Sequence, residues 1–123
     1  MKDYIILIIS SILAFSCQAQ EELHGGNFDK EVVGVSIVQF NSDWNTDNSF
    51  DLNTLKDCNI FQVIICDNPK LQEKYNIKSV PTLIIYDSGI EVVRFEANLM
   101  MELSCDKKEV QKEIQIIYLA KFE

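Results

Sequence analysis

The chain contains one histidine, His24, among 123 residues. That scarcity leaves little material for a Ser-His-Asp triad or a His-rich metal centre. Basic residues are also few. Eleven Lys and Arg stand against nineteen Asp and Glu, for a formal charge of −8 and a pI near 4.6. Nucleic-acid surfaces need clustered Lys and Arg, so nucleic acid is not an expected partner. Glycines number four, and no Gly-rich phosphate loop appears. Cysteines stand at 17, 58, 66 and 105, with no Cys-x-x-Cys pair and no zinc-ligand spacing. No metal and no cofactor are expected.

What is present is ordinary for a globular domain: 47% hydrophobic and 24% charged residues. The length suits one domain preceded by a leader. Met1 to Ala19 reads as an export signal. Lys2 gives a thin positive start, and the apolar run Tyr4 to Phe15 is too short to span a bilayer. Two processing outcomes stay open. Cys17-Gln18-Ala19 suits cleavage after Ala19, whereas Leu13-Ala14-Phe15-Ser16-Cys17 resembles a lipobox that would make Cys17 the lipidated first residue. Both, and a third outcome in which the N-terminal helix is retained, place the protein outside the cytoplasm, as an envelope lipoprotein or a periplasmic or secreted form. Membrane contact is then expected only through a lipid on Cys17. Residues 20–31 read as a polar tether carrying His24, and 32–123 as the folded domain.

Val32 to Phe40 is nearly continuous β-former, as is Ile60 to Cys66. Runs apolar on both faces suit central strands covered by helices. Ser49 to Lys56 is expected to hold a short helix, with Phe50, Leu52 and Leu55 partly on one side. Asn68-Pro69 starts another helix, with Asn as cap and Pro at its first position. Pro81 opens the run Thr82 to Tyr86, which fits a proline at the first residue of a strand. Ser88-Gly89 then turns the chain into an antiparallel partner, Glu91 to Ala97. Asp106 to Glu109 is a capping-box-like start for a final amphipathic helix over 107–121, with Val110, Ile114 and Ile117 at helical spacing. The order is β-α-β-α-β-β-α.

Four stretches of the chain resemble the thioredoxin family: Val38-Gln39-Phe40 with Trp44, Cys66-Asp67, Leu71 to Ile77, and Val80-Pro81-Thr82 through Gly89. The resemblance implies an α/β, three-layer thioredoxin-like fold. It would have a central four-stranded mixed sheet, helices on both faces and a cis-proline before the third strand. The family's Cys-Gly-Pro-Cys follows its Trp. Here Trp44 is followed by Asn45-Thr46-Asp47-Asn48, so Asn45 and Asn48 occupy both redox positions. An amide is neither a nucleophile nor a leaving group, and Asn45 is expected to cap a helix instead. The family's buried aspartate is matched by Gln39, and its neighbouring lysine by Val63. The resemblance therefore implies a domain without dithiol chemistry, acting as a protein-binding or accessory module. Its peptide groove would lie at Trp44, Val80 and Pro81 and hold an extended protein segment.

The alternative is an atypical thiol–disulfide oxidoreductase using Cys58, Cys66 or Cys105. Cys66 reads as an inert core thiol at a strand end. Asp57 beside Cys58 disfavours a thiolate there, and a Cys58–Cys105 bridge is conceivable from sequence alone. Asp43 and Asp47 around Trp44 read as solvated loop acids. Met100 and Met101 read as a strand end or linker covering the core.

Overall fold

Alternation of apolar side chains along buried strands sets the layering. The computed structural model describes residues 21–121, so Cys17 and the leader lie outside the described residues. The elements are β1 (Glu21–Glu22), a short helix α1 (Phe28–Glu31), β2 (Val35–Asn41), a 3-10 turn at Asp43–Asn48 and β3 (Asn59–Ile64). A second 3-10 turn at Ile65–Asp67 follows, then α2 (Pro69–Lys74), β4 (Thr82–Asp87), β5 (Ile90–Glu96) and α3 (Lys107–Lys121).

β2 is buried along its whole length. Val38 and Phe40 enter a core shared with Phe28 of α1 and Leu71 of α2. Val35 and Ile37 enter a second core with Val110, Ile114 and Ile117 of α3. Residues two apart on a strand share a face, so one central strand feeds both cores. The sheet order is β1-β3-β2-β4-β5. β2 pairs with β3 in parallel and with β4 antiparallel, which makes the sheet mixed. β4 and β5 form a hairpin through Ser88 and Gly89, both at positive φ. Two consecutive left-handed residues make the type I′ turn whose twist matches the strands, and glycine takes that conformation without a Cβ clash.

The sheet has five strands among the described residues, not the expected four. Glu21–Glu22 lies parallel to β3 at Phe61 and Gln62. Its polar sequence gives no strand signal. What holds it is Leu23, fully buried, whose N–H donates to the Gln62 carbonyl at 2.7 Å. The expected tether is therefore part of the folded unit. Phe28 packs its ring against Tyr75 at 4.7 Å between centroids, and Gly25 N–H donates to the Asn68 side chain. Asn68 thus ties this segment and the Ile64 carbonyl together, and its side chain does not cap α2.

The helix expected over 49–56 does not form. Asp51 accepts from the Asn53 N–H at 3.1 Å, a local side-chain bond that competes with helix, and a first helical turn is costly to nucleate. Leu52 and Leu55 are buried all the same. The segment is strapped to α3 instead: Lys56 N–H donates to Gln111 Oε1, and Gln111 Nε2 donates back to the Lys56 carbonyl. α3 begins where its sequence places it, with Asp106 Oδ1 accepting from the Glu109 N–H at 2.9 Å. The Arg94 guanidinium, steered by Glu91, donates to the Tyr75 and Asn76 carbonyls at the end of α2. Cations favour the C-terminal end of a helix, so β5 and α2 are joined there.

Candidate functional site

The site lies where β2 ends and the chain must cross to the Val80–Pro81 loop. A run of small polar residues broken only by Trp44, Asn41 to Ser49, makes that crossing. Side chains of this kind bond to nearby backbone and favour tight turns over regular helix. Asn45 leaves helical geometry in the middle of the first 3-10 turn, at φ −117 and ψ 19. It is buried, at 4% exposure, and it caps no helix.

Its amide is fully engaged. Asn45 Nδ2 shares its hydrogens among Asn41 Oδ1 at 3.2 Å, the Val80 carbonyl at 3.3 Å and the Met101 carbonyl at 3.5 Å. Asn45 Oδ1 accepts from Asn48 Nδ2 at 2.9 Å. Asn41 Nδ2 in turn donates to the Asn45 carbonyl and to Ser49 Oγ. Three asparagines thus form one connected network, and Asn45 pins three chain segments to each other. Asn41 was not singled out by sequence reasoning. The only signal was an amide directly after an apolar strand, which reads equally well as a solvated loop start.

Gln39, 1% exposed, makes a second fixed contact. Its Nε2 donates to the Phe50 carbonyl at 3.0 Å, and its Oε1 accepts from the Phe50 N–H at 2.7 Å. A carboxylate at this point could accept one bond but not donate the other. The residue paired with Gln39 on β3 is Gln62, whereas Val63 pairs with Phe40 and joins the opposite core. The neighbour of Gln39 is therefore Gln62, not Val63 as the sequence suggested. No cation takes either place.

Beyond the network a groove of about 340 Å³ opens, lined in part by Trp44, Ile65, Ile77, Ser79, Val80 and Met101. Trp44 is 63% exposed and the buried Val80 lines the same groove, whereas Pro81 is buried and is not among its lining residues. The Val80–Pro81 peptide is cis. Among the described residues, nothing accepts the Val80 N–H, and the buried Ser79 hydroxyl has no partner. On the far side a tight turn is held by Asn98, whose Oδ1 accepts from the Met100 and Glu102 N–H groups. This turn presents Leu99 fully exposed and Met100 at 74% exposure. Met100 and Met101 were expected to cover the core. Met101 lines the groove instead and Met100 is exposed, because the Asn98 turn lifts them off the sheet.

The three thiols of the described residues are separate and free. Cys66 is exposed, not buried, because β3 ends at Ile64 and the following 3-10 turn carries Cys66 off the sheet. Its Sγ lies 3.5 Å from Asp43 Oδ1. Cys58 and Cys105 are half-buried against the α3-side core. Burial, helped by Asp57, pushes the Cys58 thiol up to about 11. Burial and then the Glu109 charge raise Cys105. A thiol of pKa about 11 is roughly one part in a thousand thiolate at pH 8, by the ordinary titration relation. Maleimide or dithiobis-nitrobenzoate labelling at pH 8 should therefore modify the exposed Cys66 first and the half-buried Cys58 much more slowly. Peptide mapping of a time course checks this order.

No protein-family model matches the chain, and no curated protein matches it. Solved structures do. A thioredoxin variant from Halobacterium salinarum is 17% identical, with a TM-score of 0.59, over 80% of this chain and 94% of that one. A designed protein is 18% identical at a TM-score of 0.63, covering 80% and 99%. Thioredoxin from Malassezia sympodialis is 12% identical at 0.58, covering 80% and 90%. At these identities the likeness shows the fold alone: a thioredoxin-like α/β fold with a mixed sheet and helices.

Proposed function

We propose that this chain is an exported thioredoxin-like binding module without dithiol chemistry. It holds an extended segment of a partner protein at Trp44, Val80 and Pro81. One observation carries the reading. At the position of the family's first redox cysteine, Asn45 is buried with its amide fully bonded, while the groove beside it keeps an unpaired Val80 N–H and an exposed Trp44. Backbone pairing to an extended segment needs no thiol. A flat, exposed indole beside a pocket is the kind of anchor that dominates binding.

Trp44 is the chain's one tryptophan, so its emission reports directly on the groove. Peptides selected from a displayed random library on the purified protein should shift that emission. Trp44→Ala should weaken the same peptides by about tenfold to a hundredfold in calorimetry, the usual loss at an aromatic anchor. Its stability should change by less than about 0.5 kcal/mol, because the side chain is exposed. Selection of no peptide, or affinity indifferent to Trp44→Ala, sinks the reading.

The export part of the proposal rests on residues 1–19, with Cys17 either lipidated or removed by cleavage after Ala19. Membrane partition that survives Cys17→Ala would count against the lipid anchor. The alternative, a thiol–disulfide oxidoreductase, is favoured by one observation only: Cys66 is exposed. Cys58 and Cys105, with raised thiols, suit it poorly.

A further inference from the structure

The groove beside Trp44 carries a single formal charge. Ile65, Ile77 and Val80 line it from buried positions, and Trp44, Leu99 and Met101 from exposed ones. Its polar lining residues are neutral except Lys78, and no acid is among them. Lys78 is exposed and forms no ion pair among the described residues.

That ammonium sets a condition on whatever covers the groove. A segment laid across Lys78 strips water from its charge, which costs free energy unless the segment returns a partner. A carboxylate is that partner and gains a charge-assisted hydrogen bond. A second cation meets like charge and is disfavoured. The net charge of −8 repels an acid from a distance. At 0.15 M salt screening acts over about 8 Å, so contact with Lys78 outlasts that repulsion.

The chain also limits where the carboxylate can stand. Lys78 lies two residues before Val80, whose N–H is unpartnered among the described residues. Two residues of chain span at most about 7 Å. A partner carbonyl that accepts from the Val80 N–H is thus held close to Lys78, whose flexible four-carbon stem covers the remaining gap. A large apolar side chain of the same segment packs against Trp44 and Met101, whose thioether adapts to its shape.

We propose that Lys78 sets the specificity of the groove, and that the occupant is an extended protein segment with a large apolar side chain and an Asp or Glu within two residues of it. This rests on the groove reading given above and adds the charge of the partner to it.

The test uses short synthetic peptides of equal length with a central Leu, Met or Phe. A single Glu, Gln or Lys is placed in turn at each of the two positions on either side. Trp44 emission on the purified protein gives the affinities at 0.15 M salt. At the best position Glu should bind about threefold more tightly than Gln, the scale of a partly exposed ion pair. Lys there should bind about tenfold more weakly than Glu. In Lys78→Gln, a change at an exposed position, the Glu–Gln gap should vanish, and in Lys78→Glu the order should reverse. Equal binding of Glu and Gln peptides at all four positions, or a Glu preference that persists in Lys78→Gln, overturns the role of Lys78 and leaves the groove reading standing. If no peptide of any charge shifts Trp44 emission, the groove reading falls and this inference with it.

Discussion

Replacing Gln39 with leucine should cost about 3 kcal/mol of stability, although leucine is close in size and more apolar. Gln39 is almost fully buried and bonds both the N–H and the carbonyl of Phe50. Leucine would leave both groups without partners, and each unsatisfied group costs about 1–3 kcal/mol. Phe50 is half-buried, so some water would reach it, and leucine would recover part of the loss by apolar burial. The loss should appear in urea melts as a lower midpoint. Amides of residues 50–55 should exchange faster, because this contact holds that segment on the sheet beside Leu52.

Gln39→Glu separates hydrogen bonding from shape. Its carboxyl can donate to the Phe50 carbonyl only when protonated, and burial also favours the neutral form, so its folded pKa is raised above the unfolded value. A raised folded pKa means stability is fully present below the unfolded pKa, about 4.3 for Glu, and is lost as pH rises through the folded one. The variant should thus approach the parent protein near pH 4 and fall below it at pH 7 and above. A deficit independent of pH would show that the two Phe50 bonds are not what Gln39 contributes.

Asn45→Ala carries the second large effect, about 2–3 kcal/mol. It removes the donor shared by Asn41 Oδ1, the Val80 carbonyl and the Met101 carbonyl, two of which belong to buried residues. The nearby groove admits water, which limits the loss. Asn48→Ala is the control. Asn48 is exposed and contributes one bond to the network, so it should cost about 0.5 kcal/mol or less. The two should also differ locally, with faster amide exchange at 98–102 in Asn45→Ala alone. Equal effects from the two substitutions would remove Asn45 from the centre of the network.

Strands β2, β3 and β4 and the apolar layering were legible because these strands are dense in β-branched residues and proline and glycine punctuate them. α3 was legible from its spacing and from Asp106. What escaped notice was decided by tertiary contacts. Two glutamates form β1 only because Leu23 finds a pocket and the edge of β3 is free. Phe50, Leu52 and Leu55 bury their side chains without a helix, since Gln39 and Gln111 fix the backbone between them. Cys66 continued an apolar run in sequence, but the strand ended two residues earlier. At the site, the pair Asn45 and Asn48, which the resemblance sets against the family's two redox cysteines, could be read directly as two amides. The Asn41–Asn45–Val80–Met101 network could not, because it joins residues 56 positions apart.

The most direct test is catalysed reduction of insulin disulfides by dithiothreitol, with the purified protein compared with an ordinary thioredoxin and with a variant carrying serine at 58, 66 and 105. On the proposed reading, in which no thiol takes part, reduction should run no faster than with dithiothreitol alone, and the serine variant should behave identically. Turnover near that of the thioredoxin, lost in the serine variant, would contradict the account.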